Sequence, residues 1–155
     1  MSRYADSDYL KKDQYADSAN LNARIRLHQL YDTNPHNFHR WAFDRLLEDA
    51  PSSCRLLELG CGSGELWVKN KDRVPADWTV TLSDFSPGML DDAKKRLEGL
   101  NFDFQVINAQ DIPFEDNTFD VMLAHFMLHH VPEGEKTIAR IRRVLKPDGV
   151  FHAIS

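Results

Sequence analysis

Apolar positions return along the chain in two rhythms, and the change between them falls near Cys54. From Leu21 to Leu47, the residues Leu21, Ile25, Leu27 and Leu30, then Phe38, Trp41, Phe43, Leu46 and Leu47, recur at helix-like intervals, which predicts two amphipathic helices. The break between them, YDTNPHN, carries Pro35, and the residue before a proline is pushed out of the helical region. Beyond Cys54, short apolar runs (CRLLELG, WTVTLSD, FDFQVIN, FDVMLAH, GVFHAIS) alternate with stretches of helical period (GELWVKNKDRV, PGMLDDAKKRLEG, EKTIARIRRVLK). Strand followed by helix, repeated, predicts a parallel sheet with helices on both faces, since parallel neighbours need crossover connections and those are right-handed. The expectation is a doubly wound, mostly parallel α/β domain over residues 51–155, preceded by a helical cap or lid over residues 1–50. Pro87 and Gly99 mark the two ends of the second crossover helix. KPDGV, Lys146 to Val150, reads as a turn before the last strand.

Composition narrows the class. With 155 residues the chain can bury a core without disulfides or metals. The net charge is −5 and the basic residues are scattered among acids, so the electrostatic footprint of a nucleic-acid binder is missing. The most apolar window, Val121 to Val131, is interrupted by His125, His129 and His130 and is too short to span a bilayer. The leading segment MSRYADSDYLKKDQYADSAN lacks the apolar core of a secretory signal. Cys54 and Cys61 are too few for a disulfide framework and lack a second pair at metal-type spacing. Together these features predict a cytoplasmic protein with free thiols, bound to neither membrane nor nucleic acid.

The segment LLELGCGSGELW concentrates the candidate chemistry. In open α/β sheets ligands bind outside the carboxyl ends of the strands, where the strand order reverses, so the exit loop of the first strand is the place to look. Gly62 and Gly64 would let backbone approach a ligand with no Cβ in the way, while Gly60 could adopt a turn closed to other residues. A helix opening near Gly64 would add free N–H groups and a positive dipole end. Glu58, Asp84 and Asp111 close three successive strands, which delivers three carboxylates to one edge. Asp84 stands about 20 residues beyond the loop, where an acid can accept hydrogen bonds from both hydroxyls of a ribose.

The segments LLELGCGSG, SDFSPGML, AQDIPFEDNTFDVMLAHFMLHHV and IRRVLKPDGVF, in that order, resemble the successive motifs of class I S-adenosylmethionine-dependent methyltransferases of the small-molecule type. The likeness runs from about Arg55 to Ser155. It implies a Rossmann-like methyltransferase fold, S-adenosylmethionine as cofactor, S-adenosylhomocysteine as product and a small-molecule methyl acceptor. It further implies that Glu58 lies near the methionine amino group, and that Gly60, Cys61, Gly62 and Gly64 run under the methionine and ribose. Asp84 corresponds to the ribose-binding acid, Phe85 and Met89 to residues flanking the adenine, Gln110 and Asp111 to those meeting its edge, and His125 to a position whose backbone holds the methionine moiety. A dinucleotide site is the weaker reading, because the loop spacing is G-x-G-x-G rather than G-x-G-x-x-G.

A sulfonium methyl is already electrophilic, so in-line alignment and exclusion of water carry most of the acceleration, and a base is required only for a poor nucleophile. His125, His129 and His130 are the candidates for such a base; without acidic or cysteine partners at ligand spacing, they are not expected to hold a metal. Tyr15, Arg24 and His28 are candidate lid contacts to the cofactor or acceptor. Members of the resembled class continue beyond the fifth strand, so an exposed edge is expected there. A shortened piece of a longer enzyme is the favoured explanation, beside a minimal form and a homodimer whose partner covers the edge. The alternative function is a catalytically silent cofactor-binding or interaction module of the same fold.

Overall fold

The computed structural model describes Ala19, Ala23, Arg26, Leu27, Leu30 and residues 37–155. Helix α1 (Phe38–Asp49) begins at Asn37, whose Oδ1 accepts the N–H groups of His39 and Arg40 at 3.0 and 3.3 Å, a side-chain cap on otherwise unpaired donors. Five strands follow: β1 (Cys54–Leu59), β2 (Trp78–Asp84), β3 (Phe102–Val106), β4 (Phe119–His125) and β5 (Leu145–Ile154). All pair in parallel, in the order β3-β2-β1-β4-β5. The chain builds outward from β1 to β3, then returns to the other side of β1, so the order reverses between β1 and β4 as the doubly wound expectation requires. Among the described residues β5 has one neighbour, β4, and forms the anticipated edge.

Alternate side chains of β1 and β4 enter two cores, while β2 and β3 contribute to one. On one face Leu56, Val80, Leu82, Val121 and Leu123 pack with Phe43 and Leu46 of α1, Trp67 of α2 (Glu65–Val68), and Leu90 of α3 (Pro87–Arg96). On the other, Leu57, Leu59 and Met122 meet Ile107 and Ile112 of the β3–β4 connection and Ile141 and Val144 of α4 (Gly134–Val144). β1 and β4 are therefore apolar on both faces, which is why their sequences read as continuous runs, whereas β2 alternates, with Thr79, Thr81 and Ser83 on its second face.

Two segments differ from the sequence reading. GELWVKNKDRV forms only the single turn α2 and a 3-10 turn, Lys71–Arg73, instead of a full crossover helix. Asn70 ends it: this fully buried side chain turns inward and donates to the carbonyls of Leu66 (2.7 Å) and His39 (3.1 Å), diverting the chain. KPDGV does not precede the last strand but interrupts it. Pairing passes from Phe119↔Leu145 to Val121↔Val150, so Lys146 to Gly149 bulge out of β5, with Lys146 Nζ bonded to Asp120 at 2.7 Å.

Candidate functional site

The carboxyl ends of β1 and β2 are tied together by the loop that leaves β1. Gly60, Gly62 and Gly64 all have left-handed φ, at +69°, +56° and +76°, conformations costly for side chains with a Cβ. Cys61 N–H donates to the Ser83 carbonyl (2.9 Å), Ser83 Oγ donates to the Glu58 carbonyl (2.7 Å), and Gly62 N–H donates to Asp84 Oδ2 (3.0 Å). Asp84 Oδ1 accepts the N–H of Ser86 at 2.8 Å, and Ser86 caps α3 ahead of Pro87. The reasons for glycine differ by position. A Cβ on Gly60 would lie 2.8 Å from Met127 Cβ and one on Gly64 2.9 Å from Leu97 Cδ1. The expectation that Gly64 clears room for a ligand is therefore corrected: its missing Cβ makes room for α3. The anticipated dipole end at Gly64 also shrinks, because α2 has four residues.

Two carboxylates are buried here, Glu58 at 4% exposure and Asp84 at 6%. Removal from water pushes the Glu58 carboxyl up to about 7; the indole N–H of Trp67, donated to Glu58 Oε2 at 2.5 Å, opposes that shift, and the charge of Asp84 adds to it. Burial likewise raises Asp84, against the N–H groups of Ser86, Gly62 and Phe85 that favour its charged form. Cys61 is raised well above the ordinary thiol range by burial and by both acids, so it is an inert thiol.

Asp84 also accepts from the far side, since its backbone carbonyl takes the Ile107 N–H at 3.0 Å. That bond brings the β3–β4 connection to the same edge, where Asn108 and Asp111 form a bridge and Gln110 reaches Glu133 at 3.4 Å. Asp111 is exposed, Gln110 and Phe85 are half-buried, and Met89 lies in the interior at 2% exposure. The histidines predicted as one cluster divide into two. His129 and His130 lie side by side in a 3-10 turn, ring centroids 4.0 Å apart and planes tilted by 46°. His125, closing β4, instead neighbours His152 and His39; burial first, and those neighbours second, push it down to about 4. Its Nε2 is enclosed without a hydrogen-bond partner. Beside it Phe126 takes a left-handed φ of +54°, half exposed, with its ring 5.3 Å from that of Phe38 in α1. Among the described residues no group of three or more His, Cys, Asp or Glu is placed to hold a metal. Tyr15, Arg24 and His28 lie outside the described residues.

Three residues near the loop were not anticipated. Trp67 supplies the donor to Glu58; a buried acid needs one, and the tryptophan of GELW was the signal available. Arg96, from α3, donates to the carbonyl and hydroxyl of Ser63 (3.0 and 2.9 Å) and to Glu65 (2.6 Å), clamping the loop from outside. Met127 packs against Gly60. Neither of the last two has a sequence signal, because each depends on how distant elements meet.

The profile of the methyltransferase domain family matches residues 57–153. The chain belongs to that family. Within the methyltransferase domain family it is 32% identical over 153 residues to the ubiquinone/menaquinone biosynthesis C-methyltransferase UbiE of Rickettsia felis, an alignment covering 93% of this chain and 61% of the relative. A Methanococcus maripaludis protein assigned as an S-adenosyl-L-methionine-dependent methyltransferase superposes with a TM-score of 0.71 at 19% identity, covering 88% of this chain and 63% of that one. The [4+2]-cyclase SpnF superposes with a TM-score of 0.65 at 30% identity, covering 74% and 44%. The class I resemblance stated from the motifs is borne out, and S-adenosylmethionine is the cofactor of that class. The methyltransferase domain chain spans 40% to 61% of the length of the first curated relatives it matches.

Proposed function

We propose that the chain is the S-adenosylmethionine-binding core of a methyltransferase acting on a small molecule, with residues 51–155 forming the binding core and residues 1–50 a cap over the acceptor. The observation that supports this most is the pairing of two buried acids, Glu58 and Asp84, with a left-handed glycine loop bonded to one of them. Burying two carboxylates side by side is costly without a cation or donors to meet them, and a ligand with an ammonium at one end and a ribose diol at the other supplies both. In this reading Glu58 receives the ammonium, and Gly60, Cys61, Gly62 and Gly64 follow the ligand's length. Asp84 uses its remaining lone pairs for the ribose. Phe85 provides an apolar wall for the adenine, Met89 backs it from the interior, and Gln110 and Asp111 meet its polar edge.

When bound, the cofactor supplies a methyl on a positively charged sulfur, ready for displacement. The chain's own task is to align the acceptor and keep water out. His125 stays uncharged at neutral pH and its unpartnered Nε2 is enclosed, so it serves as a candidate base only for an acceptor hydroxyl that reaches into that enclosure. His129 and His130 stand beyond it as the other candidate bases. Phe126 and Phe38 form the aromatic side of the acceptor space. We place the protein in the cytoplasm; no described helix is long and apolar enough to cross a membrane. The open edge of β5 is where a second copy would pair in a homodimer.

Titration calorimetry with S-adenosylmethionine and S-adenosylhomocysteine tests the reading. Binding of both is expected, and Asp84→Ala should weaken it at least roughly tenfold, the equivalent of about 1.4 kcal/mol. Undiminished retention by the variant would overturn the assignment. SpnF is named a [4+2]-cyclase rather than a methyltransferase, so the second reading to test is a chain of this fold that binds the cofactor without methyl transfer. Binding without conversion of S-adenosylmethionine to S-adenosylhomocysteine in a metabolite extract would select it.

A further inference from the structure

Trp67 is fully buried in a turn of only four residues, and its ring is held on two sides. Phe43 of α1 meets it edge to face at 5.8 Å and 86°, and Phe102 of β3 at 5.2 Å and 75°. Aromatic rings locked this way have little rotational freedom. The polar end of the indole points at one group, Glu58 Oε2, at 2.5 Å. We propose that Trp67 is a positioning residue for cofactor binding: its indole N–H fixes the Glu58 carboxyl at the end of β1 and favours its ionised form.

This inference rests on the reading above, in which Glu58 receives the cofactor's ammonium. The other ionisable groups facing Glu58 are Asp84 on β2 and the Cys61 thiol in the loop. Asp84 opposes ionisation of Glu58, and neither group donates a hydrogen bond to it among the described contacts. Trp67 is thus the donor that works against burial. Because the ring is wedged between α1 and β3, the seating of α1 is transmitted to the carboxyl through one rigid side chain. An ammonium ligand binds the ionised carboxyl, so affinity should rise with pH as Glu58 loses its proton, through about 7 in the unaltered chain.

Trp67→Phe keeps an aromatic ring between Phe43 and Phe102 and removes the donor. Calorimetry with S-adenosylhomocysteine from about pH 5.5 to about pH 8.5 reads the effect. In the variant, affinity at neutral pH should fall roughly tenfold, and the pH at which affinity rises should move upward, a change that lost packing alone would not produce. An unaltered chain that binds while the variant matches it within about twofold, with the same pH profile, overturns the positioning role alone. Failure of the unaltered chain to bind overturns the cofactor reading and the proposal together. Should Trp67→Phe not fold, the indole N–H resonance of Trp67, assigned by elimination with Trp41→Phe and Trp78→Phe, decides the matter. It should titrate with Glu58 and cease to do so in Glu58→Gln; a resonance that does not move with pH overturns the proposal.

Discussion

Gly60 and Gly64 share a backbone conformation and a clash distance, yet they should not respond alike to substitution. At Gly60 the obstructing atom is Met127 Cβ, fixed to backbone, with Cγ at 2.9 Å behind it. At Gly64 it is Leu97 Cδ1, the far end of a flexible side chain. Alanine at either position carries the left-handed penalty, about 1 kcal/mol. Gly60→Ala adds overpacking that only a main-chain shift relieves, about 1 to 3 kcal/mol more. Denaturant unfolding should therefore rank Gly60→Ala as clearly the more damaging, and equal losses would contradict this account of Met127. Met127 belongs to the segment after β4, so the penalty at Gly60 also reports how closely that segment covers the loop.

The short β1–β2 crossover rests on Asn70. Its amide joins the carbonyls of Leu66 and His39, and its Oδ1 accepts from Arg73 at 3.0 Å, while Arg73 also pairs with Asp44 of α1. Asn70→Ala removes the side-chain donor from the buried Leu66 carbonyl and the tie to His39 of α1, and should cost about 2 kcal/mol. Amide hydrogen exchange should quicken in α1 more than in the equally buried α4, because only α1 is tied through this residue. Retained protection throughout α1 would refute that role. Asn70 also shows what the sequence concealed. Leu66, Trp67 and Val74 have helical spacing, and nothing in one polar letter says that its side chain will fold inward. The bulge of Lys146 to Gly149 was hidden similarly: its turn residues were legible, but that β5 starts before them depends on Leu145 pairing with Phe119. The strands, and the acids Glu58 and Asp84 at the ends of β1 and β2, were legible from short apolar runs set between stretches of helical period; Asp111 instead lies past the end of β3, in a bridge with Asn108. The division of the three histidines was not legible, since His125 meets His39 and His152 only after α1 and β5 arrive.

Across the whole molecule, two kinds of buried group set opposite pH dependences. Glu58 has a folded-state value of about 7 against 4.5 in the free side chain, so its contribution is complete below 4.5 and lost as pH rises toward about 7. His125, lowered from 6.5 to about 4, behaves in reverse: its contribution is present above 6.5 and lost as pH falls toward about 4, and His39 and His152 shift in the same direction. Glu58→Gln should remove the first slope. Above neutral pH the variant should be more stable than the parent, by about 3 kcal/mol from the size of the shift, while losing affinity for the cofactor. Near pH 4.5 the two should match. Denaturation midpoints across this range check it, and parallel profiles would show that Glu58 does not titrate as described.

The position of β1 has a consequence during synthesis. Among the described residues it is the first strand made and sits at the middle of the sheet, with Arg55 N–H bonded to Asp120 and Leu56 to Glu58 aligned with Val121 to Leu123. Its second neighbour is thus more than sixty residues downstream, and distant pairing of this kind slows folding. On the ribosome, the nascent chain must carry the apolar run of β1 half-covered until β4 emerges, which leaves chaperones an early sticky segment to shield.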